Sequence, residues 1–209
     1  KSGKKVLFVA TKKQAKQVVA DLAKEAGMPY VTERWAGGML TNFPTIRKAI
    51  KKMGTIDKME KDGTFDALSK REKLQIKRQR EKLEKNLGSI ADLSRLPAAI
   101  FVVDVMKEHI AVAEAKRLGI TVFGIVDTNS NPNGIDYVIP ANDDATKSIE
   151  LIVAEMVNAL KEGANERKLE RAEEENEQVE VKQPRTRTRK GARKEAPKAE
   201  KAENASENE

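Results

Sequence analysis

The chain has 209 residues, 39% hydrophobic and 35% charged, with a formal net charge of +7. That is poor in apolar residues for a compact domain of this length, so a modest core with a long non-core portion is expected. The absence of Cys excludes disulfides, thiolate catalysis and Cys-ligated metal and suits a cytoplasmic setting, and no apolar run approaches the roughly 20 residues that cross a bilayer, so no membrane partner is expected.

The first residue is Lys, directly before a strand, and a preceding segment is expected; no signal peptide is visible. Val6-Leu7-Phe8-Val9-Ala10 is a continuous apolar run, as in a strand buried on both faces. Thr11 is placed to cap a helix, in which Ala15, Val18, Val19, Leu22, Ala23 and Ala26 recur at helical spacing until Gly27. The turn Thr11-Lys12-Lys13 offers backbone N–H groups and two ammonium groups to a phosphate, but lacks the spaced glycines of a nucleotide fingerprint. Met28-Pro29-Tyr30-Val31 reads as a short second strand.

Arg34-Trp35-Ala36-Gly37-Gly38-Met39-Leu40-Thr41-Asn42 follows, with the only Trp of the chain. Trp35 and Met39 divide evenly between packing and contact roles. Arg34 can bond a phosphate bidentately or stack on a base, Asn42 can pair with a base edge or a sugar, and the glycines let the backbone approach a large ligand. Phe43-Pro44 opens a helix with Ile46, Ala49, Ile50 and Met53 on one face and Arg47, Lys48, Lys51 and Lys52 on the other, interrupted at Gly54. After the turn Asp62-Gly63-Thr64, a long helix is expected from Asp66 to Leu87. Its apolar spacing fits a heptad only in part, so the two helices are predicted to pack as a projecting hairpin. Lys77, Arg78 and Arg80 on the second arm read equally well as nucleic-acid contacts and as a solvated face.

Beyond Leu96-Pro97, Ala98–Val103 is a third strand ending at Asp104, and His109–Leu118 is a helix closed by Gly119. Ile120–Val126 is a fourth strand ending at Asp127, and Tyr137–Pro140 a short fifth. Asn142-Asp143-Asp144 precedes a last helix with its packed stripe from Ile149 to Leu160. From Gly163 the apolar periodicity ends; the helix is expected to run on for a turn or more and then give way to a disordered tail, whose stretch Lys182–Lys194 holds seven positive and no negative charges.

Strands alternating with helices predict an α/β fold, a parallel sheet of about five strands with helices on both faces. The expected division is a core of residues 1–46 and 89–162, a helical hairpin insertion at 47–88 and a charged tail at 163–209. Ligands of such sheets bind at the carboxyl ends of the strands, which suggests an enzyme, yet the catalytic inventory is poor. There is one His, aspartates after strands commonly stabilise the next turn, and no spacing supports a Ser-His-Asp set or a metal cluster. An enzyme binding a small phosphorylated metabolite at Thr11-Lys12-Lys13 therefore stands as the rival reading. Charge favours another: residues 1–46 hold eight Lys/Arg against three Asp/Glu and residues 47–88 fourteen against seven, whereas residues 89–162 hold six against eleven. One pole is dressed for a polyanion and the other is not.

The run Arg34–Phe43 with Thr45-Ile46-Arg47 resembles the signature of small-subunit ribosomal protein S-two in its bacterial and organellar form. Val9–Ala15, Leu96-Pro97 leading to Val103-Asp104, and Val126–Asn129 through Asp136–Ala145 agree with it in the same order, so the resemblance covers roughly residues 4–162. It implies a flavodoxin-like, three-layer fold with a protruding helical hairpin and a structural, non-enzymatic component of the small ribosomal subunit with no cofactor. It also implies contacts with the small-subunit (16S-type) rRNA and with neighbouring proteins, including the mRNA-binding protein S-one. Carried over by position, Thr11, Lys12, Lys13, Arg34, Thr41, Asn42, Arg47 and Lys48 are candidate RNA-contact or assembly residues. The family's amino-terminal Gly-His-Phe-Gly-His-type stretch has no counterpart here, and the tail from Gly163 aligns with no family feature.

Overall fold

β1 (Val6–Val9) sends alternate side chains into two separate apolar layers, which is why its sequence is apolar at every position. In the computed structural model, which describes residues 3–182, β1 lies between β2 (Tyr30–Val31) and β3 (Ala99–Val103). β4 (Thr121–Val126) and β5 (Tyr137–Pro140) extend the sheet beyond β3 in the order β2-β1-β3-β4-β5, with every pairing parallel. The register runs Phe8 beside Phe101 and Phe101 beside Phe123. This is the five-stranded parallel α/β sheet that the pattern of strands and helices predicts, in the flavodoxin-like form that the resemblance implies.

One layer holds Phe8, Phe101, Val103 and Ile125 against α1 (Lys16–Glu25) and α5 (Thr146–Lys182), through Val19 and Ala23 on the first and Ile149, Val153 and Val157 on the second. The other holds Leu7, Val9, Ile100, Val102 and Val122 against Ala111 and Ala115 of α4 (His109–Arg117) and against Trp35, Met39 and Leu40 of the loop after β2. Full burial of a side chain such as Phe8 or Ile100 contributes about 1.5–3 kcal/mol each, so the two layers are the main stabilising term. Residues 3–170 form one compact unit; in the second unit, residues 171–182 are helical. Helix α5 does continue past Gly163, and the rest of the predicted disordered tail, from residue 183, lies outside the described residues. Among the described residues no helix is long and apolar enough to cross a membrane.

Between β2 and β3 the chain makes two helices, α2 (Phe43–Lys61) and α3 (Lys70–Leu87). Phe43, Ile46, Ala49 and Ile50 of the first and Leu83 of the second pack against the core layer that contains Leu87. Farther out, Arg80 Nε donates to Asp57 Oδ1 at 2.7 Å, tying the helices together. Two expectations change here. Gly54 does not interrupt α2: it is solvent-facing, and the buried Ile56 just beyond it carries the helix onward. Nor does the second helix begin at Asp66. Residues Thr64–Ala67 form a short 3₁₀ turn, and α3 starts after Ser69, whose hydroxyl accepts from the Glu72 N–H while the Glu72 carboxylate accepts from the Ser69 N–H. That reciprocal capping box outcompetes the weaker helix signal upstream.

Gly124 sits mid-strand in β4, where an added Cβ would stand 2.8 Å from Val105 Cγ2 and 3.2 Å from Ile135 Cγ2. Val is stiff at χ1, so it cannot swing clear cheaply. Gly124→Ala is expected to destabilise the fold by about 1–3 kcal/mol, read as a lower midpoint in denaturant at unchanged slope.

Candidate nucleic-acid interface

The reversal of strand order between β1 and β3 opens a crevice at their carboxyl ends, the usual ligand position in such a sheet. Here the chain fills it with its own charges. After β1, the Thr11 N–H donates to Glu108 Oε1 at 3.2 Å, and the Thr11 hydroxyl donates to the same oxygen. Lys12 Nζ lies 2.7 Å from Asp143, 2.6 Å from Asp144 and 3.4 Å from Asp104. The Lys12 side chain is only 13% exposed. Burial works against its charge, but hydrogen bonding to Asp143 and Asp144 and the fields of Asp104 and Asp143 outweigh that and hold the ammonium above its ordinary value of 10.5. Asp104 takes a left-handed φ of 66°, which Asp tolerates, and accepts from the Lys107 N–H at 3.0 Å. Asp127 accepts from the N–H groups of Thr128 and Asp143, which lower its carboxyl below the ordinary value.

The crevice therefore presents carboxylates paired with an internal cation rather than an empty anion cradle, although the buried Asp143 Oδ2 has no hydrogen-bond partner. Thr11 does not cap α1, which begins at Lys16; its hydroxyl serves the buried Glu108 instead. Lys13, one residue on, is exposed. His109 is exposed, with Nδ1 3.1 Å from the Met106 carbonyl oxygen. Among the described residues no cluster of His, Asp and Glu is arranged to hold a metal ion.

The loop Arg34–Asn42 is built around a carboxylate supplied by another element. Glu114 lies on α4, 8% exposed, between the buried Ala111, Val112 and Ala115. Its Oε1 accepts from Trp35 Nε1 at 3.1 Å and from the Gly38 N–H at 2.7 Å. Its Oε2 accepts from the N–H groups of Leu40 at 2.9 Å and Thr41 at 3.0 Å, and from the Thr41 hydroxyl at 3.1 Å. Gly38 has φ of 84°, and a Cβ there would press on Asn42 Cβ at 3.2 Å, so glycine is what turns the N–H inward. Burial by itself would raise the Glu114 carboxyl; the bonds from Thr41, Leu40, Trp35 and Gly38 outweigh it and hold the group below its ordinary 4.5.

With Trp35, Met39 and Leu40 buried, the loop turns other groups to solvent. Arg34 is exposed beside a shallow cavity of about 230 Å³ that it lines with Trp35, Ala36, Gly37 and Asn86. Asn42 is exposed, its Oδ1 accepting from the Thr45 hydroxyl at 2.8 Å. Arg47 is exposed and donates to the Ser94 carbonyl at 3.3 Å; Lys48 is exposed. On α3, Lys77 stands 5.8 Å from the Phe65 ring centroid, and Arg80 is held by Asp57 and Glu84, the Asp57 bond first among the causes that raise its pKa. Arg78 is exposed. The candidate residues thus separate into two groups. Thr11, Lys12, Thr41 and Arg80 bond to the protein's own carboxylates, Thr41 while still exposed, and Lys13, Arg34, Asn42, Arg47, Lys48, Lys77 and Arg78 are exposed. None of them lines an apolar cavity of about 700 Å³ bordered by Phe123, Tyr137, Leu151 and Met156.

Glu114 and Glu108 escape the sequence reading. Glu114 leaves a faint trace, a carboxylate on the apolar stripe of Ala111, Val112 and Ala115. Nothing in the spacing names its partners, which lie more than seventy residues away.

Two outcomes follow from this geometry. Glu114→Ala strands four N–H donors and is expected to cost about 3–5 kcal/mol. In Glu114→Gln the stability conferred by the depressed carboxyl disappears: in the unmodified chain it is complete above about 4.5 and lost as pH falls through the lower folded value, so the gap between the two denaturation midpoints should shrink on acidification. Secondly, Lys12→Met leaves buried Asp143 and Asp104 without a counter-ion and should lower stability by about 3 kcal/mol, whereas Lys13→Met should leave the melting temperature unchanged; equal effects would refute the internal role of Lys12.

Comparison with known proteins agrees with the resemblance seen in the motifs. The family model described as ribosomal protein S2 matches residues 1–163. The chain is 69% identical over 175 residues to small ribosomal subunit protein uS2 of Parabacteroides distasonis, covering 84% of this chain and 63% of that protein. It is 71% identical over 171 residues to the uS2 of Bacteroides thetaiotaomicron, covering 82% and 62%. The uS2 of Porphyromonas gingivalis is 64% identical over 171 residues, covering 82% and 61%. The chain thus spans a little over three-fifths of the length of these relatives.

Proposed function

The chain belongs to the ribosomal protein S2 family, and from that premise we propose that it is a structural, non-catalytic constituent of the small ribosomal subunit in the cytoplasm. It binds small-subunit (16S-type) rRNA through its basic pole and contributes to subunit assembly. The observation that carries the reading is the sorting of charge by structure. The crevice where this fold would hold a small ligand is filled by Lys12 and its carboxylates, while Lys13, Arg34, Asn42, Arg47, Lys48, Lys77 and Arg78 face solvent. Outward Lys and Arg neutralise phosphates and release counterions, and this gives affinity and register without base-by-base readout. Arg34 and Asn42 add a planar fork and an amide on a loop that Glu114 holds rigid, which suits recognition of RNA shape at ribose and phosphate. Thr11, Lys12, Thr41 and Arg80 belong to the same surface as supports. Residues 47–88 act as the arm that carries the contact away from the core. Family membership supports further contacts with neighbouring small-subunit proteins, among them the mRNA-binding protein S-one.

The test is binding to purified small-subunit RNA, with the protein alone and in ordered assembly with its neighbours. Association is expected to fall on the order of a thousandfold between about 50 mM and about 200 mM salt, as for some six phosphate contacts. Salt-insensitive association, or none in either format, would sink the proposal.

A further inference from the structure

Helix α3 sorts its residues into two opposite sectors. At about 100° per residue, Ile76, Arg80, Leu83 and Leu87 fall on one side, the side from which Arg80 reaches Asp57 on α2 and Leu83 and Leu87 join the core. The opposite sector, about 120° wide, carries Arg71, Leu74, Gln75, Arg78, Lys82 and Lys85, all of them exposed. It contains no carboxylate, although the helix has three; Glu72, Glu81 and Glu84 all lie outside it. Arg71, Arg78 and Lys82 fall within about 40° of one another and are spaced roughly 10 Å and 6 Å along the axis. Among the described residues these three have no acidic partner, in contrast to Arg80, held by Asp57 and Glu84, and Lys85, 3.5 Å from Glu33.

A merely solvated helix gains stability by interleaving opposite charges three and four residues apart, and like charges at that spacing destabilise it. Arg78 and Lys82 are such a like-charged pair, and Lys82 and Lys85 are another; Glu81, about 20° beyond Leu74, stands three residues from Arg78 and four from Lys85 and offsets this only along one edge. Leu74, 50% exposed on the edge of the same sector, adds apolar area that water does not favour. Repulsion along a ridge, an absence of acids and an uncovered Leu together call for an anionic partner with some apolar surface. A phosphodiester backbone with its ribose edges has that chemistry.

We propose that the outward ridge of α3, through Arg71, Arg78 and Lys82, docks along the phosphate backbone of a folded RNA, with Leu74 against the sugars. The inference rests on the ribosomal reading above and refines it. It places the contact of this arm on the sector opposite α2, with Arg78 as its centre. Arg80 is then a strut between the helices, and Lys77 a neighbour of the Phe65 ring.

The experiment measures binding of the full chain to purified small-subunit RNA against salt, in the same assembly format as above. The triple variant Arg71→Gln, Arg78→Gln, Lys82→Gln removes three charges and keeps good helix formers. A control triple, Lys116→Gln, Arg117→Gln, Lys147→Gln, removes the same charge from the acidic half of the core. The ridge triple should reduce the slope of log affinity against log salt by about 2–3, with a melting temperature unchanged, and the control triple by less than about 1. Should the ridge triple lose helicity, the single Arg78→Gln variant decides, with an expected reduction of about 0.7–0.9. An unchanged slope, or an equal fall in both triples, overturns the ridge while leaving salt-sensitive binding of the unmodified chain intact. Absence of binding by the unmodified chain overturns the ribosomal reading and the ridge with it.

Discussion

A single carboxylate fixes the surface that the Arg34–Asn42 loop turns to solvent. Glu114 gathers a Trp N–H, three backbone N–H groups and a hydroxyl from one loop, and it does so from a helix on the far side of β3 in sequence. A buried negative charge is expensive to desolvate and becomes tolerable only when its lone pairs are filled. The loop fills them, and in return its backbone has one conformation to adopt. Trp35, Met39 and Leu40 then face the core, and Arg34 and Asn42 face out. Contact and packing in this loop are two sides of one hydrogen-bonded turn.

A second charge, of opposite sign, does the complementary work at the carboxyl ends of β1 and β3. Lys12 pairs with three aspartates where another protein of this architecture would receive a ligand. The two arrangements divide the molecule's electrostatics. Inside, carboxylates outnumber the single ammonium of Lys12 and are held by it and by N–H donors; outside, along the loop and the hairpin, cations stand in excess. Recognition of a large polyanion needs many weak, exposed contacts rather than one deep pocket, and the proposed rRNA binding draws on this distribution.

The architecture was legible in the sequence because the strands are apolar at nearly every position and the helices that cover the sheet repeat their apolar residues at 3.6 spacing. β1, β3 and β4 are recognisable to within a residue or so. Local chemistry was less well read. The capping box at Ser69 and Glu72 was present in the sequence as Ser-x-x-Glu, yet the long apolar spacing drew the helix start back to Asp66. Gly54 is a breaker by propensity, a penalty of about 1 kcal/mol that the packing of the neighbouring turns overrides. The charged residues divided by reach. Lys13, Arg34 and Arg78 face out, as sequence alone suggested. The Lys12 ammonium and the Thr41 hydroxyl are taken up by Asp143 and Glu114, which come from distant parts of the chain, and no periodicity encodes a contact of that separation.

The α2–α3 hairpin also bears on the order in which the sheet is assembled. β1 must find β3 across more than ninety residues, Val6 ending beside Ala99, a separation that slows folding when it has to be closed in one search. The hairpin forms from neighbours: Asp57 meets Arg80, and Phe43 and Leu87 finish on the same apolar layer. Once it closes, nearly half of the intervening chain is folded back on itself, and the effective loop is about half as long. Loop entropy changes only logarithmically, so the saving is modest, about 0.6 kcal/mol. The larger consequence is topological: the helical hairpin is also the segment that brings the two central strands within reach of each other.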